Sequence, residues 1–89
     1  MKAIISVLGK DHPGIIAEVS TKLFEHNINI LDISQTILQD YFTMVMLVDV
    51  TKMDVSYKEM TSLLDAIGEK ASLEIRMQRS EIFDAMHHV

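Results

Sequence analysis

The sequence predicts an α+β domain in which four strands and two helices follow one another in the order βαββαβ. Four short segments carry apolar residues in the patterns of strands. Two further segments carry them at helical spacing. The length of 89 residues is enough for one domain only, and 48% hydrophobic with 24% charged residues is typical of a folded protein. We therefore expect a single domain over residues 1–89.

The first strand and the first helix are predicted in the first third of the chain. Residues 2–8 (KAIISVL) are apolar on both alternating faces, which is expected of a central strand. From Gly14 onward, apolar residues recur at helical spacing, and Asn27 is a reasonable breaker at the end of the helix. The apolar positions of this helix are Ile15, Ile16, Val19, Leu23 and Phe24.

The next two strands are predicted as a hairpin. Residues 28–38 (INILDISQTIL) alternate, with Leu31, Ile33 and Ile37 on one face and polar residues on the other. A short turn then leads to residues 42–50 (FTMVMLVDV), which are strongly apolar and β-branched. The two segments are therefore expected to pair as antiparallel neighbours.

The second helix has the clearest start signal in the chain. Ser56 and Glu59 form a capping box, in which each side chain satisfies a free amide of the first turn. The apolar stripe that follows consists of Met60, Leu63, Leu64, Ile67 and Ala71. Residues 72–79 alternate as a fourth strand, and residues 80–88 are predicted as a short helix capped by Ser80.

The order of these elements indicates a ferredoxin-like βαββαβ sandwich with an added C-terminal helix. In this arrangement, one antiparallel four-stranded sheet carries two helices on one face. The other face must be solvated or covered by the terminal helix, by another subunit, or by both. Because two sheet edges also stay unpaired and the core of so short a chain is modest, we expect a homo-oligomer, with a dimer as the simplest form.

Composition excludes several classes of function. No apolar run approaches the roughly 20 residues of a membrane span, so we expect no membrane partner. The net charge of −5 argues against nucleic acid as a partner, and the absence of cysteine is consistent with a reducing cytoplasm. His12, His87 and His88 do not form a defined metal-ligand set. Without a nucleophile and base together, we expect a protein that is not an enzyme and uses no cofactor.

The segment VLGKDHPGIIAEVS, residues 7–20, places the only proline and one of three glycines at the start of a helix. One interpretation is that Pro13-Gly14 ends a loop and lets the helix pack against the strand. The other is that Gly14 lets a ligand approach the backbone, where the free amides of the helix start suit a carboxylate. Spacing alone leaves both interpretations open.

The segment GKDHPGIIAEVSTKLFEHNINILDISQT, residues 9–36, resembles the opening of an ACT domain. The resemblance covers essentially the whole chain and is strongest to the small stand-alone ACT proteins, which share DISQT, YFTM and a terminal IFDAM. The N-terminal ACT modules of formyltetrahydrofolate deformylase and of the glycine cleavage repressor are similar over the first half. Members of the family typically bind an amino acid or another small effector at a subunit interface and transmit it to an enzyme or regulator.

The resemblance also implies a ligand site. Asp11 matches the polar side chain two residues before Pro-Gly, Gly14 matches the loop glycine, and Asn29 matches an amide side chain often contributed by the neighbouring subunit. Serine-binding members carry a histidine where this chain has Gly9, and Asp11 replaces an amide, so the identity of the ligand stays open. The implied ligand-binding residues are Asp11, His12, Pro13, Gly14, Ile15 and Asn29.

Three hypotheses about function follow. The leading one is a cytoplasmic regulatory module that binds a small effector, an amino acid, as a homo-oligomer. The alternative is an interaction or dimerisation module in which the ligand site is vestigial. The third is a small enzyme. Binding of free amino acids separates the first two hypotheses, and turnover by the purified protein is the mark of the third.

Overall fold

The computed structural model describes residues 1–79, and the helix predicted at residues 80–88 lies outside the described residues. Six elements follow in the predicted order. They are β1 (Lys2–Lys10), α1 (Ile15–Glu25), β2 (Asn29–Leu38), β3 (Tyr41–Asp49), α2 (Tyr57–Ala71) and β4 (Leu73–Arg79). All strand pairs are antiparallel and form one four-stranded sheet. The predicted ferredoxin-like fold is confirmed.

The strand order is β2-β3-β1-β4, so β1 is a central strand, as its two apolar faces predicted. The predicted strand ended at Leu8, whereas the observed strand continues through Gly9 to Lys10. Gly9 pairs with Leu73, and a Cβ atom on Gly9 would lie 2.6 Å from Leu73 Cδ2 and 3.0 Å from the carbonyl oxygen of Ser72. Gly9 therefore does not end the strand. It stands where β4 comes so close that a side chain would collide with it.

The hydrophobic core lies between the two helices and one face of the sheet. Alternate residues of each central strand contribute to it, because side chains of a strand point to opposite faces in turn. Among residues 1–79, four methionines belong to the core, and their flexible side chains fill the space between helices and sheet. They are Met44, Met46, Met60 and Met77.

The first helix buries a narrower stripe than its apolar residues suggested. Ile15, Val19 and Leu23 are buried against the sheet. Ile16, by contrast, is 37% exposed and Phe24 is 81% exposed. The difference follows from helix geometry, since positions spaced by four residues face the sheet and positions one residue further on are rotated about 100° away from it.

The second helix begins at the predicted cap and is attached to the edge strand β4, but of the predicted capping box only the bond to Ser56 is formed among the described residues. The Ser56 hydroxyl oxygen accepts a hydrogen bond from the Glu59 backbone amide at 3.1 Å, which caps the helix. The Tyr57 hydroxyl donates to the carbonyl oxygen of Met77 at 2.6 Å, and the Arg79 guanidinium lies 5.4 Å from the centre of the Tyr57 ring. Burial raises the pKa of Tyr57, so this hydroxyl stays protonated and keeps donating to β4.

The other edge strand, β2, is exposed along almost its whole length. Ile30 is its only residue that is not exposed, and a bulge between Ile30 and Asp32 leaves Leu31 out of the predicted alternation. Ile33 and Ile37 do share a face, because they pair with the buried residues of β3 that face the helices. They are nevertheless 40% and 54% exposed, so neither helix covers this edge fully.

Candidate functional site

The loop between β1 and α1 has a backbone that requires glycine. Gly14 is the N-cap of α1 and has a φ of 87°, in the left-handed region that side chains other than glycine rarely adopt. No atom lies within 4 Å of the position that its Cβ would occupy. Gly14 is therefore explained by its backbone conformation, and the space above it is open.

The start of α1 offers hydrogen-bond donors. Pro13 precedes the N-cap, Gly14, and therefore lies outside the helix. No side chain of the described residues caps the helix, and the first intrahelical bond runs from the Glu18 amide to the Gly14 carbonyl at 2.9 Å. The amides of the first turn are therefore available to an anion, together with the positive end of the helix dipole.

His12 adds an acceptor to the same loop. Its Nδ1 lies 3.1 Å from the carbonyl oxygen of Pro13. Because a carbonyl can only accept, Nδ1 carries the hydrogen, and the lone pair of a neutral ring then lies on Nε2. Nε2 is shielded from solvent and has no hydrogen-bond partner within residues 1–79. Because water does not reach this nitrogen, a ligand does not reach it either in this conformation of the loop.

Asp11 connects the loop to the end of the β2–β3 hairpin. Its backbone amide donates to the carbonyl oxygen of Asp40 at 2.8 Å. Its side chain is exposed and forms no ion pair or hydrogen bond with the described residues. The carboxylate is therefore held at this end of the sheet by the backbone and is free to accept hydrogen bonds from a ligand.

Asn29 lies at the opposite end of the sheet from this loop. Lys10, next to Asp11, pairs with Tyr41, whereas Asn29 pairs with Asp49 at the other end of β3. The eight residue steps of β3 between these pairs correspond to roughly 26 Å at about 3.3 Å per residue. The structure thus brings together Asp11, His12, Pro13, Gly14 and Ile15, and it does not bring Asn29 to them within one chain.

Two adjoining depressions surround Asn29, with volumes of about 340 and 450 Å³. Asn27, Asn29 and Lys52 line both of them. From the sequence, Asn27 is predicted only as a helix breaker, and Lys52 is not singled out. Lys52 becomes a neighbour of Asn29 through the β2–β3 hairpin, in which Asn29 pairs with Asp49 three residues before Lys52.

The remaining polar groups at this end of the sheet are already paired. Asp49 accepts hydrogen bonds from the Thr51 hydroxyl at 2.6 Å and from the Thr51 amide at 2.9 Å. These bonds, that of the hydroxyl first, hold the pKa of Asp49 below its usual range. The ammonium group of Met1 donates to Thr51 Oγ1 at 2.6 Å. Asp49 and Thr51 are therefore occupied by each other and by the N-terminus.

A broader groove of about 630 Å³ lies between the two helices. Gly14 is the only predicted site residue in its walls, which otherwise consist of side chains of α1 and α2 such as Ala17 and Leu63. The groove contains neither Asp11 nor Asn29. Its polar side chains, such as Glu18, Lys22 and Lys70, are not among the residues predicted from the sequence, and volume alone does not identify the groove as the ligand site.

Two further observations concern the described part of the chain. Within residues 1–79, no three histidine, aspartate or glutamate side chains lie close enough together to hold a metal ion. No helix in the same range has the length and apolar character that crossing a membrane requires.

Known proteins resemble this chain over nearly its full length. A UPF0237 protein of Clostridium acetobutylicum is 53% identical over 89 residues, which are 100% of both chains. A UPF0237 protein of Listeria innocua is 48% identical over 87 residues, or 98% of each chain. Among solved structures, an ACT domain protein from Streptococcus pneumoniae superposes with a TM-score of 0.82 at 42% identity and covers 94% of each chain.

Larger proteins contain the same fold as a part. A putative glycine cleavage system transcriptional repressor has a TM-score of 0.71 at 26% identity, over 86% of this chain and 44% of its own. A formyltetrahydrofolate deformylase from Pseudomonas putida has a TM-score of 0.79 over 88% of this chain and 28% of its own, and its identity of 12% shows the fold alone. The resemblance inferred from the sequence is thus confirmed. A sequence model of the ACT domain matches residues 2–78, and the chain belongs to the ACT domain family.

Proposed function

We propose that this protein is a cytoplasmic regulatory module that binds a small polar effector, an amino acid, as a homodimer and catalyses no reaction itself. ACT domains are in general regulatory modules that bind small molecules, and the chain belongs to that family. The binding site consists of the loop at residues 10–15 of one subunit and Asn29 of the other. One observation carries the proposal: the two halves of the expected site lie at opposite ends of one sheet, beside an open edge strand.

Pairing of β2 with the β2 strand of a second copy would join the two halves. A two-fold axis at the middle of an antiparallel strand pair sets the start of one strand beside the end of the other. The start of β2 carries Asn29, and the turn after its end is bonded to Asp11 through the Asp40 carbonyl. Such a dimer contains two equivalent sites, each with one loop and one asparagine from the other copy.

Side chains along β2 support this interface. Ile33, Ile37 and Leu38 are 40%, 54% and 72% exposed, and Ile16 of the neighbouring helix is 37% exposed. A long edge strand with exposed apolar side chains is a ready template for pairing, and burial of such side chains provides the driving force. The partner proposed for this edge is a second copy of the same chain.

The loop and Asn29 together match the groups of a zwitterionic amino acid. Asp11 provides an acceptor for an ammonium group, and the first-turn amides of α1 provide donors for a carboxylate. Asn29 offers both a donor and an acceptor from the second copy. Since the complete set exists only in the dimer, effector binding is expected to strengthen association.

The proposal is tested by calorimetric titration of the protein with each of the twenty amino acids, followed by sedimentation with and without the one that binds. We expect saturable binding of at least one amino acid and a shift toward the dimer in its presence. Asn29→Ala removes an exposed side chain from the site without touching the core and is expected to reduce the shift at a given effector concentration. Saturable binding to a protein that stays monomeric would contradict the shared site.

The exposed apolar residues of β2 also favour a second candidate, an interaction module whose ligand site is vestigial. In that case the edge would serve dimerisation with itself or with another ACT-bearing protein. The two candidates differ in one measurement. A dimer that forms fully without any amino acid, and whose stability none of the twenty changes, is the result that this second candidate predicts.

A further inference from the structure

The end of the sheet that carries Asn29 contains an exposed cation, Lys52. Lys52 lines both depressions beside Asn29. Within residues 1–79, its ammonium group forms no ion pair or hydrogen bond with another side chain. The carboxamides of Asn27 and Asn29 have no side-chain partner there either. One ammonium group and two carboxamides are therefore available at the same place.

The backbone that carries Lys52 is held in position. A turn closed by a hydrogen bond from the Met53 amide to the Val50 carbonyl at 3.1 Å contains it. Two residues later, Asp54 is attached to the end of α1, because its amide donates to the His26 carbonyl at 3.3 Å and its carboxylate lies 2.9 Å from His26 Nδ1. Lys52 is thus kept beside Asn29 by contacts on both sides.

No carboxylate of the described residues forms an ion pair with Lys52. Asp49 is the only acidic residue in the walls of the two depressions, and the cation beside its carboxylate is the ammonium group of Met1, at 3.7 Å. Lys52 and the carboxamides can all donate hydrogen bonds, and donation from a cation is the strongest kind. This combination favours an anionic group on the ligand.

The two halves of the proposed site then divide one ligand between them. The loop half accepts the ammonium group on Asp11 and donates to the α-carboxylate from the start of α1. The side chain of the bound amino acid extends toward Asn29 and Lys52 of the other copy. We infer that the ligand is an amino acid with an acidic side chain, and that Lys52 recognises its side-chain carboxylate. This inference rests on the proposed function.

The experiment compares four ligands that differ in one charge. L-aspartate, L-glutamate, L-asparagine and L-glutamine are titrated into the full chain by calorimetry at one salt concentration. Either acid is expected to bind roughly ten- to a hundredfold more tightly than its own amide, the size of one charge-assisted hydrogen bond. Succinate, which lacks the ammonium group, is expected to bind more weakly than aspartate because it leaves Asp11 without a partner.

A pair of variants tests the role of Lys52. Lys52→Gln removes the charge beside Asn29 and is expected to reduce the affinity for the acid to that for the amide. Lys58→Gln is the matched control, since Lys58 lines a separate depression at the start of α2 with Glu59 and Ser62. It makes the same change in net charge and is expected to leave the preference for the acid intact.

Each outcome decides between the inference and the function on which it rests. A preference for the acid that disappears in Lys52→Gln but persists in Lys58→Gln supports the inference. Tighter binding of a neutral amino acid, or a preference that survives in Lys52→Gln, overturns the inference and leaves the proposed function standing. If none of the twenty amino acids binds, the proposed function falls, and the inference falls with it.

Discussion

The two edge strands of the sheet differ in how far this chain completes them. β4 buries every second residue, and Tyr57 of the covering helix α2 is bonded to its backbone. β2 is longer, yet Ile30 is its only residue that is not exposed. Both strands were predicted from apolar alternation, so the pattern of residues is the same and the surroundings differ. Both strands have one unpaired edge among the described residues, but the side chains of β4 are packed within the chain, whereas those of β2 stay exposed.

The difference in exposure between β4 and β2 indicates which of the two edge strands is expected to take part in function. A strand such as β4, in which alternate side chains are buried, contributes to stability through this burial. Its buried residues are therefore expected to serve packing within the subunit. An open edge with apolar side chains is a liability unless it has a partner. Because the loop of Asp11 and the position of Asn29 lie at the two ends of the open edge, the same partner can complete both the sheet and the ligand site.

The largest expected effect comes from charging the open edge. Ile33→Lys combined with Ile37→Lys places two cations on the interface proposed here. We expect dissociation of the dimer to become easier by roughly a hundredfold or more, since each isoleucine loses about 1.5–3 kcal/mol of burial. Sedimentation measures the association, and circular dichroism checks that the fold is kept.

The control for this variant is Leu8→Lys. Leu8 is 47% exposed and lies on the sheet face away from the helices, so the substitution adds charge without touching the edge. We expect this variant to remain dimeric. If Leu8→Lys dissociated while the double variant stayed dimeric, the interface would lie on the open face of the sheet and not on the β2 edge.

The second-largest expected effect is a difference in the free energy of unfolding between a variant of β4 and a variant of β2. Ile75→Ala removes a side chain that is 5% exposed in β4 and is expected to lower the free energy of unfolding by about 2–5 kcal/mol. Ile33→Ala makes the same change in β2, where the side chain is 40% exposed. Its effect is expected to be small in dilute protein and to grow with concentration, because it acts through association.

Urea unfolding at several protein concentrations measures both variants. We expect the loss of unfolding free energy to depend on protein concentration for Ile33→Ala and not for Ile75→Ala. An equal loss in both variants, in protein dilute enough to be monomeric, would contradict this expectation. That result would mean that β2 is already packed within one chain.

The sequence predicted the fold well because its signals are local. Alternation in β4 and the cap at Ser56 act between near neighbours, and both are observed. The exposure of Phe24 was missed because apolar spacing marks a helix without saying which residues another element covers. Lys52 was missed although the predicted hairpin already sets the end of β3 beside Asn29, because an exposed lysine in a turn carries no sequence signal of its own.

The smallest effect concerns the loop. Gly14→Val forces a β-branched residue into the left-handed conformation, which costs roughly 1–2 kcal/mol. We expect a lower melting temperature and weaker effector binding, since the open space above the residue is lost. Gly68→Ala is not a suitable control, because its Cβ would lie 2.5 Å from the Leu73 carbonyl oxygen. Ala17→Val, at an exposed position of α1, adds a similar side chain without that strain.

Melting curves and calorimetric titration of the Gly14→Val and Ala17→Val proteins check this prediction. Unchanged melting and unchanged binding in Gly14→Val would show that neither the backbone conformation nor the space above it matters. Reduced melting with intact binding would assign Gly14 to the fold alone.

The most direct test of the central claim mixes two defective proteins. Asp11→Ala and Asn29→Ala are each expected to weaken effector binding by about 1–3 kcal/mol, the range of a lost hydrogen bond to a charged group, without unfolding the chain. In a mixed dimer, one interface site pairs an intact loop with an intact Asn29. The account therefore predicts that mixing the two variants restores one wild-type site per mixed dimer in calorimetric titration. No recovery, in a mixture whose subunits have been shown to exchange, would contradict a site shared between subunits.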